Sequence, residues 1–145
     1  MSHESPIIYI IDDDESIREM LEMMVASVGH EYQSFADGAQ FLIQFEERHG
    51  CILLDIRMPG MSGMVVQEKL NELNAMLPII FITGHGDIAM AVEAMQKGAF
   101  DFMEKPFREF ELLEKINKAI AQDREQRLDL TKQHEIKDRI ESLTK

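Results

Sequence analysis

The chain has no tryptophan and only one cysteine, Cys51, so it can form neither an internal disulfide nor a cysteine-rich zinc site. Cys51 sits in the run Cys51-Ile52-Leu53-Leu54 and reads as a small apolar core residue. Basic residues are scarce over most of the length. Residues 1–106 carry six lysines and arginines against eighteen acidic side chains, whereas residues 107–145 carry nine of each. A body this acidic repels phosphate backbones, which argues against a direct grip on nucleic acid by this segment. Apolar runs never approach the ~20 residues of a membrane helix. The start, Met1-Ser2-His3-Glu4-Ser5, lacks the basic and apolar stretches of a secretory signal, so the expected compartment is the cytoplasm, with no membrane partner. What remains is 145 residues, 45% hydrophobic and 29% charged, the size and balance of one globular domain with a short appendage.

Apolar runs alternate with amphipathic stretches. Ile7-Ile8-Tyr9-Ile10-Ile11 is mostly β-branched with no polar alternation, as in a strand covered on both faces. Ile17, Met20, Leu21, Met24 and Val28 recur at helical spacing behind Asp14 or Ser16 as a cap, and Gly29 stops them. Glu31-Tyr32-Gln33-Ser34-Phe35 reads as an edge strand, and Asp37-Gly38-Ala39-Gln40 has capping-box spacing before Phe41, Leu42 and Phe45. The Cys51 run is the third strand. The loop through Pro59, Gly60 and Gly63 then leads to a helix with Val66, Leu70 and Leu73 inward. Pro78-Ile79-Ile80-Phe81-Ile82 is the fourth strand, with proline where no ladder donor is lost. Asp87 is placed to cap a helix whose Ile88, Ala91, Val92 and Met95 share a face. Ala99-Phe100-Asp101-Phe102-Met103 is the fifth strand, and Phe110, Leu113, Ile116 and Ile120 define the fifth helix. Five strands alternating with five helices imply right-handed crossovers and a doubly wound α/β fold, a parallel sheet with helices on both faces.

In such sheets ligands bind beyond the carboxyl ends of the strands. The residues there are Asp12, Asp13 and Asp14, then Asp55, Thr83, and Glu104 with Lys105. If the first and third strands are neighbours, Asp12, Asp13 and Asp55 converge. Two carboxylates about 4 Å apart repel by roughly 4 kcal/mol at an effective dielectric near 20, so the cluster calls for a counter-charge. Oxygen-only ligands open to water suit Mg²⁺, which binds readily beside a phosphate. Lys105 supplies a further positive charge and Thr83 a hydroxyl that can donate to an oxyanion, so one carboxylate can serve as a nucleophile.

The motifs Ile11-Asp12-Asp13-Asp14, Leu54-Asp55-Ile56-Arg57-Met58-Pro59-Gly60, Ile82-Thr83-Gly84 and Glu104-Lys105-Pro106, in this order over about residues 6–121, resemble the receiver domain of two-component response regulators. The resemblance implies a flavodoxin-like sheet of strand order 2-1-3-4-5 and a C-terminal helical extension. It implies that Asp55 is the phosphoacceptor for a sensor histidine kinase or a small phosphodonor. Mg²⁺ is then held by Asp13, Asp55 and the backbone carbonyl of Arg57, with Asp12 holding a metal-bound water. Lys105 pairs with the phosphoryl group through a chain made cis at Pro106, while Thr83 and Phe102 switch and so reshape the surface of the fourth helix, fifth strand and fifth helix. Phe102 stands where many receivers carry tyrosine, so burial rather than a hydroxyl hydrogen bond must drive its switching.

The stretches Thr83-Gly84-His85-Gly86-Asp87 and Gly98-Ala99-Phe100-Asp101-Phe102-Met103 are similar to receivers of the FixJ type. That likeness implies a receiver domain at 1–121 and, at 122–145, a linker helix toward a helix-turn-helix output domain absent from this chain. It also implies homodimerisation on phosphorylation and contact with DNA only through that output domain. In the tail, Leu128, Ile136, Ile140 and Leu143 are sparse for a heptad seam, which leaves a solvated helix and a dimerising stalk both open.

Plainer readings exist for each residue alone. Aspartates after a strand also suit a helix N-terminus, Thr83 can simply end a strand, Lys105 can be a surface lysine, and Phe102 can be core. His85 reads as a loop residue, since no second histidine has ligand spacing. An aspartyl-phosphate hydrolase is disfavoured because Arg57 stands two residues after Asp55, where such enzymes commonly need an acid. A nucleotide- or flavin-binding domain is disfavoured because no GxGxxG follows the first strand.

Overall fold

A computed structural model describes residues 5–84 and 86–143, with side chains through 131 in the last helix. His85 and the tail side chains Ile136, Ile140 and Leu143 lie outside the described residues. The order of elements is β1 (Ile7–Ile11), α1 (Glu15–Ser27), β2 (Glu31–Phe35), α2 (Gly38–Gln44), β3 (Gly50–Asp55), α3 (Gly63–Glu72), β4 (Ile79–Thr83), α4 (Ile88–Gln96), β5 (Asp101–Glu104) and α5 (Glu109–Leu143). All strand pairs are parallel, in the order β2-β1-β3-β4-β5 that the family resemblance implies.

Every residue of β1, β3 and β4 is buried, because helices cover both faces and leave no side for alternating polar residues. One face packs Ile7, Tyr9, Ile11, Ile52, Leu54 and Phe81 against Phe41 of α2, Val66 and Leu70 of α3, and Ala94 of α4. The other packs Ile8, Ile10, Cys51, Leu53, Ile80 and Ile82 against Leu21, Met24 and Val25 of α1 and Leu112, Ile116 and Ala119 of α5. Asp14 caps α1 by accepting from the amides of Ser16 and Ile17, and Asp37 caps α2 by accepting from Gln40 N–H at 2.8 Å.

Several inward assignments shift by a position. Val25, not Val28, completes the buried face of α1, since the helix ends at Ser27 and Val28 lies past its last turn. Leu73, likewise a C-terminal cap, is exposed. In α5 Leu112 is buried and Phe110, in the first turn, faces solvent. α4 meets the sheet through Ala91 and Ala94, so Ile88, Val92 and Met95 point outward. The fifth strand begins two residues later than the apolar run, at Asp101. α5 is one 35-residue helix that runs unbroken through position 121 into the tail. No helix among the described residues is long and apolar enough to cross a membrane.

Candidate functional site

Because the strands are parallel, the carboxyl ends of β1, β3, β4 and β5 share one edge of the sheet. β1 and β3 are paired with Ile11 opposite Leu54, which brings the next residues, Asp12 and Asp55, side by side. Asp12, Asp13 and Asp55 each offer an oxygen within 4.8 Å of the others, with Asp12 and Asp55 buried and Asp13 exposed. Asp12 is held on three sides. Its Oδ1 accepts from Asp14 N–H at 2.9 Å, its Oδ2 from Lys105 Nζ at 3.3 Å, and its carbonyl from Arg18 Nη1 at 2.8 Å.

Lys105 reaches over from β5. Its amide donates to Thr83 O at 2.7 Å, its peptide bond to Pro106 is cis, and its ammonium lies 3.7 Å from Asp55 Oδ1. One ammonium among three carboxylates leaves negative charge uncompensated. Burial, then the charge of Asp12, push the Asp55 carboxyl up to about 7 against the opposing pull of Lys105. Burial also raises Asp12. This donor set, all oxygen and short of positive charge, fits a hard divalent cation such as Mg²⁺.

The floor of the site is made by close backbone approach. Gly63, the first residue of α3, sits so near the end of β3 that an added Cβ would lie 2.2 Å from the Asp55 carbonyl oxygen. Its amide donates to Ile56 O at 2.8 Å. Only glycine fits there without displacing the Asp55 backbone.

Thr83 is fully buried and its hydroxyl donates to Met103 O at 3.3 Å, away from the carboxylates. Phe102, opposite Phe81 in the sheet, is partly buried against the face that carries α2, α3 and α4. The Arg57 side chain is largely exposed and donates from Nε to Asp87 Oδ1 at 2.7 Å. That contact corrects the expectation for Asp87. It stands at the cap position of α4 but makes no side-chain cap bond, because its buried carboxylate is turned to Arg57. Sequence reasoning missed this pair, as it missed Arg18. The sequence carries no local signal for the pair, since Arg57 and Asp87 lie 30 positions apart.

A doubly wound sheet with an acidic cluster and a lysine at the carboxyl ends of its strands defines a receiver-type α/β domain. Residues 8–117 match the response regulator receiver domain family, and the chain belongs to it. It is a receiver domain of the kind found in response regulators. The chain is 46% identical to the response regulator protein TodT of Pseudomonas putida over 146 aligned residues, covering 100% of this chain and 64% of TodT. Among solved structures, it resembles the response regulator StyR with a TM-score of 0.87 and 41% identity, over 93% of this chain and 69% of that one. It also resembles FixJ-N, with a TM-score of 0.77 and 39% identity, over 81% of this chain and 95% of that one. The chain thus spans about two thirds of the length of TodT.

Proposed function

We propose that the domain is a phosphorylation switch in which Asp55 takes a phosphoryl group from a sensor histidine kinase or from a small acyl phosphate. The observation that carries this reading is the convergence of Asp12, Asp13, Asp55 and Lys105 at one edge of the sheet. An Asp55 carboxylate oxygen forms the new bond to phosphorus. The bond from phosphorus to the donor nitrogen or oxygen breaks, its electron pair leaves with the donor, and a donor imidazole or carboxylate is released. Asp12, Asp13, Asp55 and the backbone carbonyl of Arg57 are the residues to hold Mg²⁺. Bound there, the ion supplies positive charge to the transferring phosphoryl oxygens and to the crowded carboxylates. Lys105, already poised between Asp12 and Asp55, pairs with the phosphoryl group.

Switching follows from exchange of partners. The Thr83 hydroxyl has one weak contact, at 3.3 Å to Met103 O, and trades it for a phosphoryl oxygen. Phe102 then moves from partial to full burial behind it. The element so biased is the surface of α4, β5 and α5, where Ile88, Val92 and Met95 form an apolar outer face on α4. That face supports homodimerisation on phosphorylation. The receiver occupies 1–121, and 122–145 lead toward a helix-turn-helix output domain through which DNA is bound. The protein works in the cytoplasm and turns over no external substrate.

The test is intact mass and sizing chromatography after incubation with acetyl phosphate, with and without Mg²⁺, for the wild type and Asp55→Asn. One Mg²⁺-dependent phosphoryl group and a dimer-sized shift, both absent from Asp55→Asn, are expected. Equal phosphorylation of the variant contradicts the assignment.

A further inference from the structure

α4 is held unequally at its two ends. Its carboxyl end is bonded to α3 by two side-chain amides: buried Gln67 donates from Nε2 to Ala94 O at 2.9 Å, and Asn71 donates from Nδ2 to Lys97 O at 3.2 Å. At the amino end, Asp87 occupies the cap position with φ −100° and ψ 23°, outside the extended region that capping residues adopt, and gives the first turn no side-chain acceptor. The Asp87 carboxylate is buried and paired instead with Arg57, whose side chain is 71% exposed. Arg57 is two residues from Asp55. The cation that restrains one end of α4 therefore belongs to the loop that leaves the acceptor residue.

We propose that the Arg57–Asp87 ion pair is a latch on the amino end of α4, closed in the unphosphorylated domain and opened when a phosphoryl group on Asp55 competes for the Arg57 guanidinium. The inference rests on Asp55 as the acceptor. A phosphoryl group carries nearly two negative charges and three acceptor oxygens against the single charge of Asp87, and it presents them where a mostly exposed guanidinium is free to turn. Once Arg57 leaves, Asp87 is a buried carboxylate without its cation, a costly state. Its carboxylate then turns out toward water, and the first turn of α4, which has no side-chain cap, is left untethered. α4 then pivots about its Gln67 and Asn71 contacts and carries Ile88 and Val92 with it. The two states differ in named contacts, as a switch requires.

Hydrogen exchange of peptides spanning residues 88–96 tests this in wild type, Asp87→Asn, Arg57→Met and the double variant. Each is measured before and after acetyl phosphate with Mg²⁺, with phosphoryl occupancy read by intact mass. Exchange at the start of α4 should quicken roughly tenfold on phosphorylation of the wild type. It should already be quick in both unphosphorylated single variants, no quicker in the double, and unmoved by phosphorylation in any of the three. Arg57→Met alters an exposed side chain and keeps the test available if Asp87→Asn fails to fold. Phosphorylated variants whose α4 exchange still responds as the wild type does would overturn the latch alone. A wild type that takes no phosphoryl group would overturn the acceptor assignment and, with it, the trigger.

Discussion

Asp123 of α5 accepts the backbone N–H of Gly50, the first residue of β3, at 2.9 Å. The same fully buried carboxylate meets His49 Nδ1 at 2.7 Å and Arg127 Nε at 2.9 Å, and Arg127 reaches on to Glu47 at 2.7 Å. Gly50 has φ +152°, and a Cβ there would lie 1.9 Å from Ile7 O, so the turn into β3 is tight and its amide is fixed on Asp123. This network ties α5, past the last apolar contacts at Ile120, to the edge of the sheet opposite the acidic site. Removing the carboxylate leaves the buried Gly50 amide without its acceptor and leaves Arg127 paired with Glu47 alone. Asp123→Ala is expected to cost about 1–3 kcal/mol in urea denaturation. A loss below about 1 kcal/mol would mean that the network is ornamental.

The crowded carboxylates set a pH dependence. Asp55 rises from an ordinary value of 3.8 to about 7, and Asp12 rises too, so the folded protein binds more protons than the unfolded chain between these values. Their contribution to stability is complete below about pH 4 and is lost as pH climbs through about 7. In chelator, wild-type stability should therefore fall from pH 5 to pH 8. Asp55→Asn should flatten that slope and raise stability near pH 7.5 by on the order of 2 kcal/mol. Added Mg²⁺ should restore the wild type and have less effect on the variant. Thermal unfolding across pH reads all of this, and a wild type whose stability rises over the same interval contradicts it.

Gly63→Ala places a methyl group against the Asp55 carbonyl. The expected cost is about 1–3 kcal/mol in stability, with weaker Mg²⁺ binding because the backbone under the acceptor must shift. Calorimetric Mg²⁺ titration of wild type and variant checks it, and equal affinities would show that the floor yields freely.

Lys105→Ala removes the ammonium that faces Asp12 and Asp55. The acceptor oxygen remains, so the variant should still acquire one phosphoryl group, more slowly, while the shape change is uncoupled. In sizing chromatography the phosphorylated variant should elute with the unphosphorylated wild type. Full dimerisation of phosphorylated Lys105→Ala would remove Lys105 from the switch.

Much of the fold was legible because helices cover both faces of β1, β3 and β4, and only strongly apolar, β-branched runs survive there. The acidic site was legible for a related reason: Asp12, Asp55, Thr83 and Lys105 each directly follow or end a strand, so topology alone brings them together. Less legible were helix faces near their ends. Val28, Leu73 and Phe110 fit the periodicity yet lie in or past a terminal turn, where the chain leaves the sheet. On α4 the alanines, not the bulky residues, face inward, since small side chains let the helix sit close to the sheet, and periodicity does not register size. The contacts of Asp123 with Gly50 and of Arg57 with Asp87 join residues 73 and 30 positions apart, and no local pattern signals such pairs.

The proposed switch depends on a phosphoryl group carried by Asp55. Borohydride reduces an acyl phosphate on aspartate to homoserine, so reduction after treatment with acetyl phosphate and Mg²⁺, followed by peptide mapping, reads the site directly. Homoserine at position 55, dependent on both reagents, is the predicted result. Conversion at position 12 or 13, or none at all, contradicts the account.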